Sequence, residues 1–156
     1  MFRGGRPVIL VSVLAILAAA GCGGGKQPVS AAELVQKADE ACRTEQAKFR
    51  QIQTTPPANA TDAANQTKAL ISVAESTSST IDGLEPPEAL RAPLGIYLNA
   101  REGAIDAMKR GQDAAENQNS ASYGAAQAAV VKTAPQRRKL AQSLGFKVCS
   151  GNAKAV

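Results

Sequence analysis

The segment SAAELVQKADEACRTEQAKFRQI, residues 30–52, decides the fold. It opens on Ser30-Ala31-Ala32-Glu33, a capping box in which a serine hydroxyl accepts from the amide three residues on and a glutamate reaches back. Behind it Val35, Ala38, Cys42, Glu45, Phe49 and Ile52 recur at intervals of three and four. That is the spacing of one face of a helix in a bundle, not the alternation of a strand. Thr54-Thr55-Pro56-Pro57 stops it.

The rest of the chain repeats the plan. A second helix is expected from about Thr61 to Asp82 along Ala64, Thr67, Leu70/Ile71, Ala74, Thr77/Ser78 and Ile81. Its run Ser76-Thr77-Ser78-Ser79-Thr80 is poor helix material, which makes this helix the most dependent on its neighbours. A third starts around Pro87 and follows Leu90, Leu94, Tyr97/Leu98, Arg101, Ile105, Met108, Gln112 and Ala115, with a kink or delayed start expected at Pro93. After Asn117-Gln118-Asn119-Ser120, a fourth carries Tyr123, Ala126, Val130, Ala134, Arg137, Ala141 and Leu144. Pro135 should kink or split it, Gly145 suits its C-cap, and fraying is expected from Ser150 on. Four such segments joined by short links read as an all-α, up-down-up-down four-helix bundle. A long coiled-coil oligomer is the alternative, and the three turns rich in proline or asparagine count against it.

Composition agrees. The chain has 156 residues, 31 of them alanine, with no tryptophan and no histidine. That length suits one domain, and alanine with few aromatics favours slim helices over a sandwich. Without histidine there is no Ser-His or Cys-His pair, His-ligated zinc or proximal-His haem.

Residues 1–22 read as an address. Arg3 and Arg6 precede an apolar run, Pro7–Ala20, too short to span a membrane yet normal for a signal peptide. Arg3-Gly4-Gly5-Arg6 is not a twin-arginine pair, so general export is expected. Leu17-Ala18-Ala19-Ala20-Gly21-Cys22 resembles the lipobox of bacterial lipoproteins, with Ala19 where leucine is usual. The resemblance implies that Cys22 is lipidated and becomes the first residue of the mature chain. An ordinary secretory signal cleaved after Ala20 is the alternative. The expected organisation is a cleaved lipoprotein signal peptide (1–21), lipidated Cys22 with a flexible Gly-rich linker (22–29), the bundle (30–149) and a disordered tail (150–156). Acyl chains anchor stably when two or more are present. Losing Arg3 and Arg6 lowers the formal charge from +5 to +3, which does not support nucleic-acid binding.

Two cysteines then remain, Cys42 and Cys149. In an up-down bundle the end of the fourth helix lies near the first part of helix one, and export is oxidising, so the two are expected as a disulfide. Two reactive thiols are the rival reading, with no histidine or Cys-x-x-Cys partner to activate them. Leu, Ile, Val and Phe total 22 of the 135 residues from Cys22 onward, below the fifth that marks a weak core. A covalent crosslink therefore matters here.

Three short motifs, Ala38-Asp39-Glu40-Ala41-Cys42, Leu84-Glu85-Pro86-Pro87 and Leu140-Ala141-Gln142-Ser143-Leu144-Gly145-Phe146-Lys147-Val148-Cys149, resemble the small exported lipoproteins of high-GC actinobacteria. The resemblance implies the bundle, the disulfide and export, and carries no catalytic residue. Pro93 and Pro135 depart from its smoother helices.

The remaining candidates are polar. Glu45 and Arg101 both interrupt apolar seams and share a level if helices one and three run the same way. They form a candidate internal polar pair that fixes register, or a contact for a ligand carboxylate or headgroup. Arg137-Arg138-Lys139 suits a helix C-terminus and is a candidate membrane-surface contact, or a solvated face. Tyr97, Tyr123 and Met108 read as core packing, and the sequons at Asn59 and Asn65 as chance. No metal cluster, phosphate loop or cofactor motif stands out. The expectation is a lipid-anchored, extracytoplasmic, non-catalytic envelope binding or scaffold protein on the cell membrane. Its partners would be the membrane, through the acyl anchor, and an envelope protein or lipid, not nucleic acid. The alternative is a carrier holding a small apolar or lipid ligand between the helices.

Overall fold

A computed structural model describes residues 28–152, so the expected signal peptide, Cys22, the glycine spacer and residues 153–156 lie outside the described residues. Four helices are present: α1 (Ala31–Ile52), α2 (Ala60–Asp82), α3 (Glu88–Glu116) and α4 (Ser120–Ser143). They pack against one another, and there is no strand among the described residues. No described helix is long and apolar enough to cross a membrane.

Local chemistry sets the ends. The capping box forms as expected: Ser30 Oγ accepts from the Glu33 amide at 3.2 Å, and Glu33 Oε2 accepts from the Ser30 amide at 2.8 Å. Those hydrogen bonds hold the Glu33 carboxyl below its ordinary pKa. Asn59 and Asn119 cap α2 and α4 by accepting from the amides of Asp62 and Ser122. Both α3 and α4 end in a paired 6→1 and 5→2 motif. For α4 the Phe146 amide donates to the Ala141 carbonyl and Gly145 to Gln142, with Gly145 at φ 83°. The α3 end uses Gln118 at φ 56°, a left-handed position without glycine.

Neither internal proline breaks its helix. α3 starts at Glu88 and runs through Pro93, so the delayed start is not seen, and α4 is one helix across Pro135 rather than two. Each proline leaves the carbonyl four residues earlier without a helical donor. Those carbonyls belong to Ala89 and Val131, both exposed, where water serves. The Ser76–Thr80 run also stays helical, with Thr77 and Thr80 turning their hydroxyls back to the carbonyls of Val73 and Ser76.

α3 packs between α2 and α4, and α1 packs on α2. The expected α2 face is buried nearly as read, at Ala63, Ala64, Thr67, Ile71, Ala74, Thr77 and Ile81. α3 buries a second row, Ala104, Ala107, Gly111 and Ala114, because it has two neighbours. A Cβ on Gly111 would lie 3.4 Å from that of Ala126, so small residues set the α3–α4 approach. On α1 the deeply buried line is Leu34, Ala38, Asp39 and Cys42, with Val35 only half-buried. The face read from Val35 is therefore turned toward Leu34.

The apolar interior forms three clusters. One joins Leu34, Ala38, Cys42, Ile81, Leu94, Tyr97, Ala141, Leu144, Phe146 and Val148, with the Tyr97 and Phe146 rings edge-to-face at 5.7 Å. A central one packs Ile71, Ala74 and Ile105 with Phe49 and Met108. A third holds Ala63, Ala64 and Ala115 with Tyr123. Residues 150–152, expected to begin a tail, instead close a final turn. Ser150 is buried, and its hydroxyl and the Asn152 amide both donate to the Lys147 carbonyl.

Candidate functional site

Two polar assemblies lie inside this scaffold. The first is a clasp between α1 and the segment after α4. Cys42 and Cys149 are disulfide-bonded across a sequence separation of 107. Three residues before Cys42, and so on the same helical face, Asp39 is 8% exposed. Its Oδ2 accepts from the Lys147 amide at 2.9 Å, and its Oδ1 from the amides of Val148 at 2.8 Å and Cys149 at 3.3 Å. A carboxylate is the right group there: three converging N–H donors need an acceptor-only side chain. Gln46, one turn beyond Cys42, donates to the Val148 carbonyl at 3.0 Å. The Tyr97 hydroxyl lies 4.0 Å from Cys42 Sγ and is the donor, since the sulfur carries no hydrogen.

The second is centred on Arg101. Its Nη2 donates to Glu45 at 2.8 Å, Nε to Ser78 Oγ at 2.9 Å and Nη1 to the Tyr97 hydroxyl at 3.3 Å, with a longer contact to the Ala74 carbonyl. One guanidinium from α3 thus ties α1 and α2 at a single level. Only 11% of the Arg101 side chain and 12% of the Glu45 side chain are exposed. Burial works against the Arg101 charge, but Glu45 and then Tyr97 more than compensate, and its pKa sits above the ordinary arginine value. Burial likewise raises the Tyr97 phenol. The expected pair of Glu45 and Arg101 is therefore formed.

The basic run divides. Arg138 and Lys139 are exposed, whereas Arg137 is half-buried and its guanidinium donates to the Thr133 hydroxyl and the Val130 carbonyl. As a membrane-facing group only the outer two are available. Burial, then the nearby charge of Arg101, lowers the Arg137 pKa. Asn59 uses its side chain as a helix cap, and Tyr97, Tyr123 and Met108 sit within or against the apolar clusters. Sequence reading passed over Asp39, Gln46 and Ser78. The available signal for Asp39 was its place in Ala38-Asp39-Glu40-Ala41-Cys42, on the cysteine's own face.

The cavity that reaches the interior, about 100 Å³, is lined in part by Glu45, Phe49, Arg101 and Arg137. Three larger hollows are open grooves: about 330 and 440 Å³ among polar side chains of α1 and α2, and of α2 and α3, and about 260 Å³ beside Pro57, Ala63, Ala115 and Tyr123 at the α1–α2 and α3–α4 links. No family model matches the chain, and neither the curated proteins nor the solved structures contain a match to it.

Proposed function

We propose that this chain is a lipid-anchored, extracytoplasmic, non-catalytic protein of the cell envelope, an up-down-up-down bundle that presents a helix face to a partner. The up-down reading draws support from the clusters: one gathers the starts of α1 and α3 with the ends of α2 and α4, another the starts of α2 and α4 with the end of α3. The observation that carries the functional reading is at the entry to the fold. The Val29 amide donates to the Glu85 carbonyl at 2.8 Å, so the chain leading from Cys22 is fastened to the α2–α3 link beside the disulfide-closed end. A tether there leaves the end bearing the α1–α2 and α3–α4 links pointing outward from the membrane. The disulfide fits an exported location, and Arg138 and Lys139 lie on the tethered side, where they add to anionic-lipid attraction.

The hollows that reach the roughly 300–1,000 Å³ of ligand pockets are open grooves among polar side chains, and the one between the helices at the Arg101 centre measures about 100 Å³, which favours a scaffold over a lipid carrier. Native mass spectrometry of the protein extracted from bacterial membranes tests both points. The expected spectrum shows Cys22 acylated at the N-terminus, two hydrogens fewer than the dithiol, and no retained lipid. An unmodified chain that starts elsewhere and partitions identically between membrane and soluble fractions in wild type and Cys22→Ser refutes the anchor. A second, stoichiometric lipid would make it a carrier.

A further inference from the structure

The interior cavity is not electrically balanced. Three charged side chains face it, Glu45 from α1, Arg101 from α3 and Arg137 from α4, against an apolar wall that includes Phe49, Ile105 and Met108. α2 brings only the Ala74 carbonyl and Ser78 to this centre, both already accepting from Arg101. The single carboxylate is engaged by Arg101 at 2.8 Å. Arg137 makes no ion pair among the described residues, and its acceptors, a hydroxyl and a carbonyl, are neutral. The hollow thus carries one positive charge in excess, beside apolar carbon. Its volume, about 100 Å³, is small beside the roughly 300–1,000 Å³ of pockets that hold drug-sized ligands.

We propose that this cavity binds a small monocarboxylate of two or three carbons, with its carboxylate on Arg137 in the field of Arg101 and its methyl end against Met108 and Phe49. One negative charge completes the count, a carboxylate matches the guanidinium fork, and a long acyl chain does not fit. The site is independent of the anchor and of the scaffold reading.

Met108 is the one methionine after residue 1, so its methyl gives a single NMR reporter in the full chain with the leader removed. Sodium propionate, propionamide, octanoate and sodium chloride are titrated at matched ionic strength. Propionate is expected to move the Met108 methyl saturably, with propionamide and chloride inert and octanoate weaker. Arg137→Gln should weaken propionate at least about tenfold while melting close to wild type, because Arg137 is only half-buried and both of its acceptors are neutral. Glu45→Gln should tighten propionate by leaving two guanidiniums without one. Equal responses to propionamide or chloride, wild-type affinity in Arg137→Gln, or tighter octanoate binding would each overturn the proposal.

Discussion

Removing the sulfur clasp gives the sharpest test of how this fold is held. The perturbation is the double variant Cys42→Ser/Cys149→Ser, beside wild type in reductant. A crosslink over a separation of 107 residues restricts the unfolded chain, and the loop-entropy relation gives about 4.8 kcal/mol at 25 °C. Small domains are stable by about 5–15 kcal/mol, so this is a large share. For a domain of this size roughly 4 °C accompanies each kcal/mol, which places the expected fall in Tm near 20 °C. The effect should come through the unfolded state, because Asp39 still holds the Lys147, Val148 and Cys149 amides when the sulfurs are gone. Far-UV circular dichroism at low temperature should therefore be unchanged while the melt shifts. Asp39→Asn, with the disulfide intact, supplies the contrast. It puts an NH₂ where a carboxylate oxygen accepts from a buried amide, at a cost of about 3 kcal/mol. It should also speed hydrogen exchange at residues 147–149 before the rest of the chain. A drop of less than about 5 °C on losing the disulfide would refute the reasoning, since the loop term would then be nearly absent.

Two other perturbations follow from the interior and from one turn. Arg101→Met strands the Glu45 carboxylate in a site where it is 12% exposed. It should cost about 3–5 kcal/mol in urea unfolding, whereas Glu45→Met/Arg101→Met together should be near neutral or stabilising. A double-variant loss equal to the sum of the losses in Arg101→Met and Glu45→Met alone would show that the pair has no coupling. Gln118→Gly removes a side chain from a φ of 56°, where an L-residue bears roughly 1–2 kcal/mol. After the added freedom of the unfolded glycine, Tm should still rise by a few degrees, and a fall would remove strain from the α3–α4 turn.

The helices were legible because each signal is local: a capping box at Ser30, a proline pair after Thr55, a glycine after Leu144. The α2 face was legible because its buried residues, Ala63, Ala64, Thr67, Ile71, Ala74, Thr77 and Ile81, keep one helical repeat from end to end. α3 was only half legible. Periodicity finds the large apolar residues, but Ala104, Ala107, Gly111 and Ala114 are buried because α4 comes close, and alanine looks alike on a core and on a surface. Glu45 and Arg101 stood out because a charge in an apolar seam needs a partner at its own level. Asp39 gave no such contrast. It lies one residue beside the seam in a stretch with charges on both flanks, and its partners are amides 108–110 residues away, which no side-chain pattern records. Arg137 carried two readings, one on the inner line of the fourth helix and one in the basic run, and the half-buried side chain agrees with the first. A run of three cations reads as one solvated patch, yet a helix turns about 100° per residue, so three successive residues spread over about 200° and cannot all share a face. The middle and last members meet water, and the first reaches the charge already buried at the bundle's centre. What decides the role of a charged residue in so thin a core is its angle around the helix relative to the nearest buried charge, not the company it keeps along the chain.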